Sequence, residues 1–154
     1  MDSITRSAFC KLVKIEELDC IHIQHPKFFS EICLQGAQLT RFQVSDREPL
    51  IWLSPTAEYK KGRSLRGGIP VCWPWFGGWD TNPESVKGCI PATDMAHGFA
   101  RNLPWSVQSI QETCHGVTLV LQLKDNVETK QYFPHSFNLK LTITLSEKIE
   151  LSLT

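Results

Sequence analysis

Two short runs hold most of the residues that could do chemistry in this chain. They are Arg66-Gly67-Gly68-Ile69-Pro70-Val71-Cys72-Trp73-Pro74-Trp75-Phe76-Gly77 and His97-Gly98-Phe99-Ala100-Arg101-Asn102-Leu103-Pro104-Trp105. Together they contain three of the five tryptophans, three of the nine prolines and four of the nine glycines. Stiff backbone, aromatic walls and a few directional polar groups are what a pocket for a small polar ligand requires. Arg66 stands before Gly67-Gly68, where missing side chains let backbone approach a ligand. Its planar fork suits a sugar hydroxyl, a carboxylate or a phosphate, although a surface arginine beside a turn reads equally well. His97 and Arg101 lie four residues apart. In an extended segment His97, Phe99 and Arg101 would share one face. That face offers a hydrogen bond for a hydroxyl, a ring for a sugar's C–H side and a cation for an anion. Taken alone, a histidine before glycine is also an ordinary loop residue.

Trp73, Trp75, Phe76 and Trp79 could stack on a pyranose ring, and two of the four are expected to be buried packing instead. Asp94 is close enough in sequence to orient His97. His135, in Phe133-Pro134-His135-Ser136-Phe137, reads as a structural residue at a turn into a strand. His22, His25 and His115 fall at strand or turn positions without evident partners. The chain contains no Ser/His/Asp order, phosphate-cradling loop or dinucleotide fingerprint.

These runs sit in a chain of 154 residues, enough for one domain with a real core. Lys plus Arg and Asp plus Glu are equal at 16 each, so bulk charge gives no reason to expect nucleic acid or an anionic membrane as a partner. No apolar run approaches the roughly 18 residues of a membrane span, and Met1 to Arg6 lacks a basic-then-apolar leader. A cytoplasmic protein is expected. Its six cysteines (10, 20, 33, 72, 89 and 114) have no metal-ligand spacing. Reduced thiols are expected, with Cys33 and Cys72 buried.

The elements that must position the two runs are almost all strands. Cys20 to Gln24, Ile32 to Leu34 and Ala37 to Val44 alternate, with Gly36 as a turn or bulge. Asp46-Arg47-Glu48-Pro49 is a polar connection into a strand at Leu50-Ile51-Trp52-Leu53. Four more strands follow at Trp105 to Ile110, Val117 to Leu123, Phe137 to Leu145 and Ile149 to Thr154. The only helix predicted is a short one near Pro83 to Val86, capped by Asn82. An all-β, antiparallel β-sandwich follows. The irregular stretch 63–102 is long for a compact domain, and such stretches usually carry function.

The two runs resemble the signature of the glucose-6-phosphate 1-epimerases (hexose-6-phosphate mutarotases), relatives of galactose mutarotase. Leu34-Gln35-Gly36-Ala37-Gln38-Leu39, Leu50-Ile51-Trp52-Leu53-Ser54 and Phe133-Pro134-His135-Ser136-Phe137 are similar to further segments of that family. The resemblance implies a galactose mutarotase-like supersandwich with the sugar site on its concave side. It implies Arg66 and Arg101 as the arginines that hold the sugar phosphate, and His97 as a histidine of the substrate site. Position 96, Ala here, is Gln in some relatives. The reaction implied interconverts the α and β anomers of a hexose 6-phosphate. It needs an acid and a base about the anomeric carbon and no metal or cofactor. In the family these are a His in a Leu-His-Thr-Tyr-Phe-like segment and a later Glu. Neither segment occurs here, so no catalytic residue is assigned and both are expected beyond Thr154. On this reading residues 1–154 are the N-terminal part of one sandwich domain, incomplete at the C-terminus. Alone, that part is expected to be inactive and to self-associate through its exposed strand. Two other readings remain open: a sugar-phosphate-binding β-domain without catalysis, and a structural or interaction sandwich whose aromatic loop contacts protein.

Overall fold

The computed structural model describes residues 2–154, with side chains from residue 4 onward. Alternating apolar residues build two four-stranded antiparallel sheets. The first runs β1 (Cys10–Ile15), β2 (Leu18–His25), β3 (Phe28–Cys33) and β4 (Gln38–Val44) in chain order. The second runs β5 (Ser106–Glu112), β6 (Val117–Lys124), β7 (Asn138–Leu145) and β8 (Ile149–Leu153), also in chain order. Ile21, Ile23, Ile32, Leu39 and Phe42 from the first sheet meet Leu119, Leu121, Ile143 and Leu145 from the second in one buried cluster. Because side chains alternate across a strand, this packing fixes what the opposite face of the first sheet carries. Cys20, Cys33 and Gln38 form one row across that outer face, and His22, Glu31 and Arg41 form the next. Register shifts between Glu31 and Ile32, so that Glu31 opposes Arg41 while Ile32 opposes Leu39. Thr40 is the extra residue of this bulge, which turns its hydroxyl onto Glu31.

Residues 50–65 cross the outer face as a strap. Tyr59 and Leu65 bury themselves with Leu18, Cys20 and Cys33 beneath it. The strand expected at Leu50–Leu53 is not a regular one. It makes an isolated bridge from Leu53 to Gly67, and single bonds from the Leu50 amide to the Phe42 carbonyl and from the Gly68 amide to the Trp52 carbonyl. It therefore lies between β4 and the Arg66 run without a continuous partner. The expected helix is the single turn α2 (Glu84–Lys87), after α1 (Asp2–Thr5) and before α3 (Thr129–Tyr132). Its N-cap is Pro83 rather than Asn82. Asn82 instead donates from its carboxamide to the carbonyls of Gly78, at 2.7 Å, and Phe76, at 3.2 Å, bracing the loop behind the first motif. All six cysteines are free, and Cys72 is half-buried rather than buried.

Two histidines read as lacking partners have them. His22 Nε2 donates to the Glu31 carboxylate at 2.8 Å. His25 is buried between the Phe9 and Phe28 rings, accepts from the Lys27 amide at Nδ1 and donates from Nε2 to the Thr113 carbonyl at 3.2 Å.

Candidate functional site

The two motif runs fold against each other, and backbone makes the junction. Trp73 and Gly98 form a parallel bridge, and the Trp73 carbonyl accepts from the amides of Phe99, at 3.0 Å, and Ala100, at 3.2 Å. A Cβ on Gly98 would sit 2.0 Å from that carbonyl oxygen, and Gly98 has φ of +65°, so only glycine fits. His97 precedes it at φ +64°, a left-handed conformation that histidine tolerates better than most residues. Its amide donates to the Gly77 carbonyl at 2.8 Å, and its Nδ1 accepts from the Gly77 amide at 3.1 Å. That acceptor role assigns the proton of the neutral ring to Nε2, which has no hydrogen-bond partner among the described residues. Asp94 is therefore not what orients His97; the Gly77 backbone does so.

The segment is not extended. His97 is left-handed, Phe99 is buried against Trp73 and Trp75, and Arg101 lies on a single 3₁₀ turn, Ala100–Asn102. The three side chains thus do not share a strand face. Arg101 Nη2 donates to the Ala96 carbonyl at 2.8 Å, a backbone contact indifferent to the side chain at position 96. Its Nε is buried with no partner among the described residues. Arg66 is exposed, and its guanidinium has neither a hydrogen bond nor an ion pair among them.

Both arginines are carried by loops anchored on the start of β4. Gly36, at φ +76°, packs so closely on Arg101 that a Cβ there would lie 2.6 Å from the Arg101 carbonyl oxygen. On the other side, Ile69 bridges to Leu39. The buried Gln38 carboxamide donates to the carbonyl of Gly67 at 2.6 Å and that of Leu65 at 3.4 Å, gripping the chain on both sides of Arg66. Gln35 does the same for the preceding turn, donating to the Arg63 carbonyl and accepting from the Gly62 amide, each at 2.8 Å. Ser64 Oγ donates to Asn102 Oδ1 at 2.6 Å, joining the chain two residues before Arg66 to the residue after Arg101. Sequence reasoning missed Gln35, Gln38, Ser64 and Asn102. The available signal was a pair of glutamines flanking Gly36 within an apolar strand pattern, where a buried amide must find backbone partners.

The aromatic residues divide sharply. Trp75 is buried and donates from its indole to the Met95 carbonyl at 3.0 Å. Trp73 packs into a cluster with Phe99, Phe133 and Phe137, ring centroids 4.6–5.6 Å away. Trp79 is half-buried, its Nε1 has no partner among the described residues, and Lys87 Nζ lies 5.7 Å above its ring. Phe76 is 73% exposed, and its ring meets that of His97 edge-on at 4.8 Å. His135 stacks edge-on with Phe133 and helps line an apolar hollow of about 360 Å³ with Trp73, Val86 and Ile90.

This geometry is set in a chain whose residues 19–154 match the aldose 1-epimerase family. The chain belongs to that family. A protein of Escherichia coli K12 named "Putative glucose-6-phosphate 1-epimerase" is 41% identical over 140 residues, which are 91% of this chain and 44% of that protein. One of the same name from Cenchrus ciliaris is 33% identical over 81% of this chain and 36% of its own length. The crystal structure of a protein from Salmonella typhimurium titled a mutarotase superposes with a TM-score of 0.83 at 33% identity, over 97% of this chain and 48% of that one. The sandwich is therefore of the galactose mutarotase-like type, and the family is one of epimerase-type isomerases. The chain spans between a third and a half of the length of these relatives.

Proposed function

We propose that this chain binds a hexose 6-phosphate, and that residues 1–154 form the N-terminal part of a single domain interconverting the α and β anomers of that sugar. The observation that carries the reading is the pair of arginines with unused donors on two loops braced from the same strand start. Among the described residues the Arg66 guanidinium has no partner and Arg101 has a buried, unpartnered Nε, and the chain as a whole is neutral. Arg101 Nε is closed to solvent and Nη2 is held by the Ala96 carbonyl, so the donor an anionic group can reach is Nη1, which among the described residues is neither bonded nor buried. Arg66 supplies a second fork for the same anion, and His97 Nε2–H supplies a donor for a sugar hydroxyl.

Anomer exchange requires a proton delivered to the ring oxygen and another removed from the C1 hydroxyl, so that the ring opens and recloses. We assign neither transfer to a residue of this chain. On the family resemblance, the acid and base are expected in segments that this chain does not contain. Arg66, His97 and Arg101 fix where the phosphate and the ring sit while those transfers occur.

The test is calorimetric titration of the intact protein with glucose 6-phosphate and with glucose. The phosphorylated sugar binds more tightly, and Arg66→Ala weakens its binding by about 1.5–3 kcal/mol, the range for a charge-assisted hydrogen bond. Equal affinity for the two sugars would refute the reading.

A further inference from the structure

We infer that the exposed ring of Phe76 is the platform on which the sugar ring lies, oriented by the Nε2–H of His97 beside it; this rests on the phosphohexose reading above. Four aromatic residues of the first motif and its flank could serve a pyranose, and the structure discriminates among them. Trp75 has no free face, Trp73 is hemmed in by three phenylalanines, and Trp79 is half-buried with a lysine over it. Phe76 keeps 73% of its surface, an unusual exposure for a residue between a buried tryptophan and a glycine in a braced loop. Asn82 holds the Phe76 carbonyl and His97 holds the next amide, at Gly77, so the backbone presenting the ring is fixed on both sides.

The donor and the platform are one construction. The Gly77 amide that fixes the His97 tautomer immediately follows Phe76, and the two rings meet edge-on with an interplanar angle of 72°. The result is an apolar surface with a single N–H donor standing beside it. A pyranose offers the complement: axial C–H groups on a ring face and hydroxyls around its rim. Inorganic phosphate offers only the anion. The arginines would therefore serve the phosphate, and Phe76 with His97 would serve the ring. Affinity for the two ligands is predicted to separate by residue.

The experiment measures dissociation constants of glucose 6-phosphate and of inorganic phosphate for the intact protein and for Phe76→Ala, Phe76→Leu and Phe76→Trp, with thermal melting of each. An exposed ring should be replaceable without loss of melting temperature. Phe76→Ala and Phe76→Leu are expected to weaken glucose 6-phosphate about 3- to 10-fold, the scale of one aromatic contact. Binding of inorganic phosphate should not change, and Phe76→Trp should restore the sugar. Because leucine keeps apolar bulk but not a flat ring face, its failure to substitute identifies stacking. Unchanged binding of glucose 6-phosphate in Phe76→Ala overturns the platform and leaves the phosphohexose reading standing. An equal loss for phosphate and for sugar also overturns it, because the ring would then act through the loop. Absence of glucose 6-phosphate binding by the unaltered protein overturns both.

Discussion

Two polar regions of this protein are handled in opposite ways. On the outer face of the first sheet, Glu31 is 1% exposed and every direction around its carboxylate is occupied. Tyr59 and Thr40 hydroxyls each donate to Oε1 at 2.7 Å, His22 donates to Oε2 at 2.8 Å, and Arg41 Nε stands 3.9 Å away. At the motif junction, Arg101 Nε and Trp79 Nε1 are buried without partners among the described residues, and the Arg66 guanidinium and His97 Nε2 are left open. Buried polar groups are normally satisfied. A saturated network ties the strap to the sheet, whereas the donors left open on a braced scaffold are those the proposed function assigns to a ligand. Arg66 is exposed, so burial differs as well, but among the buried groups it is completeness that separates the two regions.

The sharpest way to break this contrast is to remove Glu31. Glu31→Ala leaves the Tyr59 hydroxyl without its acceptor and His22 without its anion, beneath a strap that depends on Tyr59 for burial. Loss of one member of a buried charged network costs about 3–5 kcal/mol. Urea unfolding of the intact protein should show that loss, while the molecules that remain folded bind glucose 6-phosphate with unaltered affinity. A cost below 1 kcal/mol would mean that saturation is not what holds the strap.

Arg101→Met makes the converse test, with a smaller effect on stability. Methionine keeps much of the arginine stem's bulk but removes the orphaned Nε together with the Nη2 bond to Ala96. One modest bond is lost and one unsatisfied donor relieved, so the melting midpoint should move by no more than the equivalent of about 1 kcal/mol in either direction. Affinity for glucose 6-phosphate should fall by about 1.5–3 kcal/mol. Loss of stability with retained affinity would place Arg101 in the structural class with Glu31.

The difference between the regions bears on what could be read from the sequence. The sheets were legible because alternation reports the core face, as in Cys20 to Gln24 or Leu139 to Leu145. β1 was not, and β3 (Phe28–Cys33) only in its last two residues, since Phe28-Phe29-Ser30-Glu31 does not alternate; in β1, Lys11, Leu12, Val13 and Lys14 do not alternate, because the strand is at the sheet's edge and Leu12 is exposed. Leu50–Leu53 carries strand composition but lies where only isolated bonds are on offer. The residue types of the site were legible in the two runs. The placement of His97 was not, since it follows from a left-handed backbone and the Gly77 amide rather than from a strand face. Nor could composition say that Phe76 is outside and Trp75 inside. The Glu31 network went unread altogether, because its members come from β2, β3, β4 and the strap, and only the bulge at Thr40 turns them together.

The smallest effect expected concerns acid. Burial raises the Glu31 pKa, but donation from Tyr59, Thr40 and His22, with the charge of Arg41, outweighs it and holds the carboxyl below its ordinary value. A carboxylate with a depressed folded pKa contributes stability that is complete above its unfolded value, about 4.3 for glutamate, and is lost as pH falls through the folded value. Glu112 is depressed too, by Ser7 and the Ala8 and Phe9 amides against the cost of its own burial, so Glu31 carries only part of the acid limb. Glu31→Gln keeps the shape and an acceptor oxygen for Tyr59 and Thr40 but cannot titrate. Melting midpoints of the two proteins should therefore differ modestly at pH 7 and approach each other as pH falls from 5 to 3. The variant's curve should be flatter, with Glu112 and Asp125, whose carboxyl Lys130 and the Phe137 amide also hold low, supplying the residual slope. Parallel curves over that range would mean that Glu31 gains no more stabilisation from its donors than it loses to burial, and the saturated region would then differ from the site only in geometry.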